Sequence, residues 1–205
     1  NDLATFIDTS DEWITTRTGI RERRICHTNF SDMAIVAARH ALAAADMNPM
    51  ELDLILLGSL TNDSLCPNTA SIVQDAIGAR NAASIDINSA CTGFLYGLHI
   101  GTNLIRTGAH KKVLVIGGEF ISHYMNWAQR DVAVLFGDAC GAVVIEATDK
   151  EVGLLAAKGR GRVWWFTGYV IFKLRARIYL KPIYGPSAQT ELAKCGQRAQ
   201  CVRGT

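Results

Sequence analysis

The stretch 84–108, SIDINSACTGFLYGLHIGTNLIRTG, holds a cysteine whose position suggests covalent chemistry. A buried strand over 84–87 is expected to run into a helix over 92–106, and Cys91 falls at the turn between them. A thiol in that turn faces backbone N–H groups that the first helical turn leaves unpaired, at the positive end of the helix dipole. Nucleophilic thiols occur in such settings, although most unpaired cysteines are small buried hydrophobes. Gly93, Gly97 and Gly101 recur every fourth residue and flatten one helix face. Three interior glycines cost about 1 kcal/mol each against alanine, so the pattern predicts a helix pressed against another backbone.

A second candidate lies near the N-terminus. Thr9-Ser10-Asp11-Glu12 fits a capping box with Thr9 as N-cap, opening a short helix that stops near Gly19. Trp13 and Arg17 then share one face at i and i+4, an aromatic ring beside a guanidinium. The bland reading is a surface aromatic–arginine pair.

The remaining cysteines, Cys26, Cys66, Cys140, Cys195 and Cys201, form no CxxC pair, and no histidine stands at zinc-finger spacing, so no metal site is expected. His99 and His123 have no neighbours that mark either as a base. Gly117-Gly118-Glu119-Phe120 resembles the GGDEF motif of cyclic-dinucleotide synthases, but it lacks one acid and ends a predicted buried strand.

These residues must be positioned by a chain of 205 residues, 49% hydrophobic and 20% charged, which suffices for a sizeable core. Strands are expected at 52–58, 84–87, 112–117, 132–136 and 142–146, the last two flanking a turn at 137–141. Helices are expected at 32–46, capped by Ser31 with a stripe of Met33, Val36, Ala37, Leu42 and Ala45, and at 69–77, ended by Gly78. Strands alternating with helices imply βαβ units and a mostly parallel sheet. No apolar run is long enough for a membrane helix. The start NDLATFIDTSDEW lacks the pattern of a signal peptide, and an opening Asn suggests a chain that is not the whole gene product.

Charge divides the chain. Residues 1–157 carry 11 Lys/Arg against 18 Asp/Glu, a net of −7, and residues 158–205 carry 10 Lys/Arg against Glu191, a net of +9. The second segment is also rich in rings: Trp164, Trp165, Tyr169, Tyr179 and Tyr184. Its pattern breaks with the first 157 residues, as a shifted reading frame or an unrelated fusion would.

TSDEWITTRTGIRERR (9–24), SACTGFLYGL (89–98) and FGDACGAVV (136–144) together resemble β-ketoacyl-acyl-carrier-protein synthase III over residues 1–157. The resemblance implies the N-terminal half of a thiolase-like layered α/β fold, incomplete here, and an acyltransferase that starts fatty-acid synthesis. It implies Cys91 as the nucleophile that takes an acyl group from acyl-CoA before condensation with malonyl-acyl carrier protein. It places Trp13 and Arg130 on the CoA adenine, Arg17 at the CoA phosphates and Thr9 near the adenine. It also places Cys66 and Phe136 at the acyl pocket, on a loop crossing a homodimer interface in the case of Cys66. It implies no cofactor and no metal, acyl-CoA being a substrate, a cytoplasmic enzyme, and no nucleic-acid or membrane partner.

The departures are equally specific. Motifs like PHQAN and GNTS, which carry the family's catalytic His and Asn, do not occur, nor does the glycine-rich turn giving the second oxyanion donor. The family's first strand, expected mid-sheet, would precede Asn1, and Ala139 replaces a usual glycine, so a strained turn is expected there. The sequence also leaves open a homologue of secondary metabolism making quinolone or polyketide starters, and a non-enzymatic fragment whose basic tail binds polyanions.

Overall fold

The computed structural model describes residues 2–148 and, beyond them, only the backbone of 153–162 and 165–173. Its elements run in the order α1 (Asp11–Thr18), α2 (Phe30–Ala45), β1 (Leu54–Gly58), α3 (Thr69–Ile77), β2 (Ala83–Ile87), α4 (Gly93–Arg106), β3 (Lys112–Glu119), α5 (Arg130–Ala133), β4 (Ala139–Glu146), β5 (Gly153–Arg162) and β6 (Trp165–Lys173).

The sheet order is β2-β1-β3-β4. β1 pairs in parallel with β2 and β3, and β4 runs antiparallel to β3 with Gly118 opposite Cys140. This is the mostly parallel α/β layering expected. Two details differ. β1 and β3 pair along the whole of β1, from Leu54 opposite Val113 to Gly58 opposite Gly117, so no slot for a further strand exists mid-sheet. β2 is an outer strand with Ala83 and Ile85 exposed, not a buried one.

The sheet carries a layer on each face because its central strands are apolar on both. On one face α2 buries Phe30, Met33, Ala34, Ala37, Ala38, Ala41 and Leu42 with α3, Ile55, Leu57, Leu114 and Ile116. The predicted stripe is half right: Val36 and Ala45 face solvent, and Ala34, Ala38 and Ala41 take their place. On the other face α4 packs Leu98 against Leu54, Leu56, Val113 and Val115. A third cluster of Leu3, Ile14 and Val134, with Trp13 and Trp127 against it, joins α1 to the region of α5.

The starts of α1 and α2 differ from the sequence reading, and carboxylates from elsewhere in the chain hold the starts of α2 and α3. Ser10, not Thr9, caps α1: its hydroxyl accepts from the Trp13 N–H at 3.1 Å. α2 starts at Phe30 rather than after Ser31, because the Asp63 carboxylate accepts from the Phe30 and Ser31 N–H groups at 2.9 and 3.1 Å. α3 is held likewise by Asp86, which accepts from Thr69 and Ala70. Residues 132–136 are not a strand: Arg130–Ala133 is a helical turn, and β4 begins only at Ala139. Ala139 sits in regular pairing opposite Glu119, and its φ is not positive, so the expected strain is absent. β5 and β6 pair antiparallel. The side chains of the tail, with Cys195 and Cys201, lie outside the described residues.

Candidate active site

The turn after β2 sets the geometry. Residues Ala90–Thr92 form a short 3-10 turn, and α4 proper begins at Gly93, one residue later than predicted. The turn is sharp: Ala90 has φ +44, one of only two non-glycine residues with positive φ among the described residues. That conformation is disfavoured for a residue with a Cβ, so the surrounding packing must hold it. Ser89 and Thr92 close the turn through their hydroxyls, 2.9 Å apart, and the Thr92 hydroxyl donates to the Ser89 carbonyl at 2.8 Å. Cys91, between them, is exposed and free.

The glycines fix where α4 starts. A Cβ on Gly58, the last residue of β1, would lie 2.7 Å from the Gly93 carbonyl oxygen and 2.8 Å from its Cα. A Cβ on Gly97 would meet Val115 at 2.9 Å, and one on Gly101 would meet Ile145 at 3.0 Å. The helix therefore rests backbone to backbone on the end of β1, two residues past Cys91. The predicted flat face is present, and its partner Gly58 escaped the sequence reading because close approach between distant glycines leaves no local signal.

Trp13, Arg17 and Arg130 come together. The Arg17 guanidinium carbon stands 4.3 Å from the Trp13 ring centroid and that of Arg130 4.7 Å, both within cation–π range. Arg17 is held by its own helix, Nη1 donating to the Trp13 carbonyl at 3.3 Å. Arg130, 117 residues downstream of Trp13, donates to the Asp8 carbonyl at 3.2 Å, with the Asp8 carboxylate at 3.9 Å. Sequence spacing found the first pair; Arg130 came only through the resemblance, and Asp8 was missed. Thr9 is half-buried, and its hydroxyl is buried without a hydrogen-bond partner.

Phe136 is 38% exposed, on the turn before β4. Its backbone is fixed by neighbours: Arg23 Nη2 donates to the Val134 carbonyl at 2.8 Å, and the Asp138 N–H donates to the Arg24 carbonyl at 2.8 Å. The buried Asp138 carboxylate accepts from the Cys26 N–H, the Ser122 N–H and the Ser122 hydroxyl at 2.6–2.9 Å. Cys66 is exposed on the loop after β1, beside the fully exposed Leu65. Burial pushes the Cys140 thiol up to about 12.

The sequence pattern of 3-Oxoacyl-[acyl-carrier-protein (ACP)] synthase III matches residues 85–160, which include Cys91. A Beta-ketoacyl-[acyl-carrier-protein] synthase III 2 of Vibrio vulnificus is 55% identical over 158 residues, 77% of this chain and 44% of that protein. A Clostridium perfringens Beta-ketoacyl-[acyl-carrier-protein] synthase III is 48% identical over 74% of this chain and 47% of its own length. The crystal structure of the 3-oxoacyl-[acyl-carrier-protein] synthase III of Aquifex aeolicus superposes with TM-score 0.77 at 45% identity, over 78% of this chain and 53% of that one. A priming β-ketosynthase of the R1128 polyketide pathway superposes with TM-score 0.73 at 34% identity, over 78% of this chain and 49% of that one. The chain spans about half the length of the curated relatives it matches. Over the residues it shares with them, the chain belongs to the β-ketoacyl-acyl-carrier-protein synthase III family and has its thiolase-like fold.

Proposed function

We propose that residues 1–157 form the acyl-accepting half of a β-ketoacyl-acyl-carrier-protein synthase III, an acyltransferase of fatty-acid initiation. The observation that carries this reading is the exposed Cys91 in a turn whose backbone is held at positive φ, at the entrance to α4. The Cys91 sulfur attacks the thioester carbonyl of an acyl-CoA, the C–S bond to CoA breaks, and CoA leaves as its thiolate, which takes up a proton. N–H groups at the start of α4 face the carbonyl oxygen on which charge develops. Trp13 and Arg130 stack on the adenine, Arg17 meets the phosphates and Thr9 lies by the base. Ring and guanidinium flank an aromatic base well, because both present flat, polarisable faces. Cys66 and Phe136 border the acyl chain.

Condensation with malonyl-carrier protein requires groups that stabilise the carbanion left by loss of CO2, and the sequence carries neither of the motifs that supply His and Asn in this family. This chain accordingly accepts an acyl group without completing condensation. A homodimer fits the exposed Ile85 on outer strand β2 and the exposed Leu65, and a cytoplasmic setting fits the substrates. The R1128 likeness keeps starter synthesis in secondary metabolism as the second reading.

Intact-mass measurement of the chain incubated with acyl-CoA tests the reading. One acyl group is expected, located on Cys91 by peptide mapping and lost in Cys91→Ala. Label on another cysteine, or condensation by the purified chain that Cys91→Ala abolishes, overturns it.

A further inference from the structure

Glu119 ends β3, yet both its carboxylate oxygens are engaged by a different segment, the exit of β1. They accept from the Ser59 hydroxyl at 3.1 Å, the Leu60 N–H at 3.2 Å and the Thr61 hydroxyl at 2.8 Å. The Thr61 hydroxyl oxygen in turn accepts from the Phe120 N–H at 2.7 Å, which closes the network back onto β3. Ser59 and Thr61 are buried, so without the carboxylate their hydroxyls lose a charged partner that water cannot readily replace. Farther along the same loop, Asp63 is fixed to the start of α2, and the Ser64 hydroxyl donates to the Pro67 carbonyl at 2.8 Å. The loop is thus tied down on both sides of its tip, where Leu65, Cys66 and Pro67 are exposed.

We infer that Glu119 is a positioning residue for substrate length: by holding 59–61 it sets where the tip bearing Cys66 stands, and so how long an acyl chain is accommodated. This inference rests on the proposed role of Cys66 at the acyl pocket. A carboxylate suits the task better than an amide, because both its oxygens accept from the three consecutive donors, whereas an amide would turn an NH2 group towards one of them.

The test uses the full chain as wild type, Glu119→Ala, Glu119→Gln and Asp53→Asn. Asp53 is the control, since its carboxylate ties the N–H groups of Lys111 and Lys112 at the opposite end of β1. Amide hydrogen exchange is followed over 59–67, together with the ratio of octanoyl to butyryl label acquired by Cys91 from the two CoA esters. Glu119→Ala should speed exchange at Leu60 and Thr61 at least tenfold with β1 and β3 still protected, and shift the label ratio at least threefold. Glu119→Gln, which retains one acceptor, should fall between, and it carries the test if the alanine variant does not fold. Asp53→Asn should leave the ratio at the wild-type value. Unchanged loop exchange, a loosened loop with an unchanged ratio, or an equal shift in Asp53→Asn each overturns the inference. A wild-type chain that takes no acyl group sinks the proposed function, and the role of Glu119 with it; normal labelling at an unshifted ratio sinks Glu119 alone.

Discussion

Cys91 stands exposed in the turn between β2 and α4, whereas Cys140 lies at the start of β4 with its side chain against the core beneath α2. The two thiols are chemically identical, and the fold separates them by how each backbone ends or continues a strand. At Cys91 the strand stops, Ala90 takes a positive φ, and the next element is a helix. At Cys140 the strand runs on opposite β3, Gly118 leaves room for it, and desolvation holds the thiol neutral. A cysteine is made available or inert by strand termination more than by its near neighbours in sequence.

Alkylation should show the largest difference. With its thiol pushed up to about 12, Cys140 is almost wholly protonated at pH 8. Its native rate with iodoacetamide should lie roughly a thousandfold below that of the same residue in the urea-unfolded chain, where the usual value is about 8.5. The rate should climb about tenfold per pH unit towards 12. The sign for stability follows: the folded value is raised, so the neutral thiol favours the fold below the unfolded value, and that contribution fades as pH rises from about 9 to about 12. Mass-resolved labelling checks both, and comparable native rates for Cys91 and Cys140 would break the contrast.

The backbone seat under Cys91 comes next. Gly58→Ala puts a methyl group where the Gly93 carbonyl oxygen and Cα stand 2.7 and 2.8 Å away, and neither is a side chain that can turn aside. Overpacking of this kind costs about 3 kcal/mol. The melting temperature should fall, and the start of α4 should shift enough to slow acylation of Cys91 by two orders of magnitude. Gly78→Ala, strained at φ +77 but with open space around it, should lower stability without slowing acylation beyond that loss. Equal effects from the two variants would show that the seat does not position the thiol.

The extent to which this could be read beforehand follows from the range of each interaction. Local signals carried α3 to the residue, the glycine face of α4, the Cys91 turn and the Trp13–Arg17 pair, since each is set within a few residues. Apart from the one-residue slip of the α1 cap from Thr9 to Ser10, the main failures were set at a distance. α2 begins early because Asp63 reaches its N–H groups, and Arg130 joins Trp13 because a small cluster of Ile14, Val134 and Trp127 draws α1 to that region. Residues 132–136 form an unbroken apolar run like a buried strand, yet Ala133 and Val134 are buried at a helical turn, and an apolar run alone does not separate the two. Glu119 reads in sequence only as the acid of a decoy motif, and its partners lie 58 to 60 residues away.

Trp13 sharpens the comparison between binding and reactivity at Cys91. Removing the ring takes away a stacking surface worth about 1.4 kcal/mol, so Trp13→Ala should raise the acyl-CoA concentration for half-maximal labelling about tenfold. Alkylation of Cys91 by iodoacetamide, which has no adenine, should be unchanged. Loss of both would mean that the ring supports the fold through Ile14 and Val134 rather than a ligand.

The smallest effect is expected at the loop tip, and it tests whether exposure on a tethered loop can govern specificity. Cys66 is several heavy atoms smaller than phenylalanine and projects from a backbone held by Glu119 and Asp63. If that backbone stays in place, Cys66→Phe fills space instead of swinging away. Each methylene of acyl chain buried is worth about 0.8 kcal/mol, and a phenyl ring at the tip of an exposed loop should exclude about one. Labelling of Cys91 should then shift about fourfold from octanoyl-CoA towards acetyl-CoA, with butyryl-CoA between them. The three rates are measured for wild type and Cys66→Phe, and again with Glu119→Ala added. In the loosened loop the new ring can move out of the way, so the fourfold shift should shrink. An unchanged chain-length order in Cys66→Phe removes Cys66 from the pocket, and a shift undiminished by Glu119→Ala shows that its position does not depend on the tether.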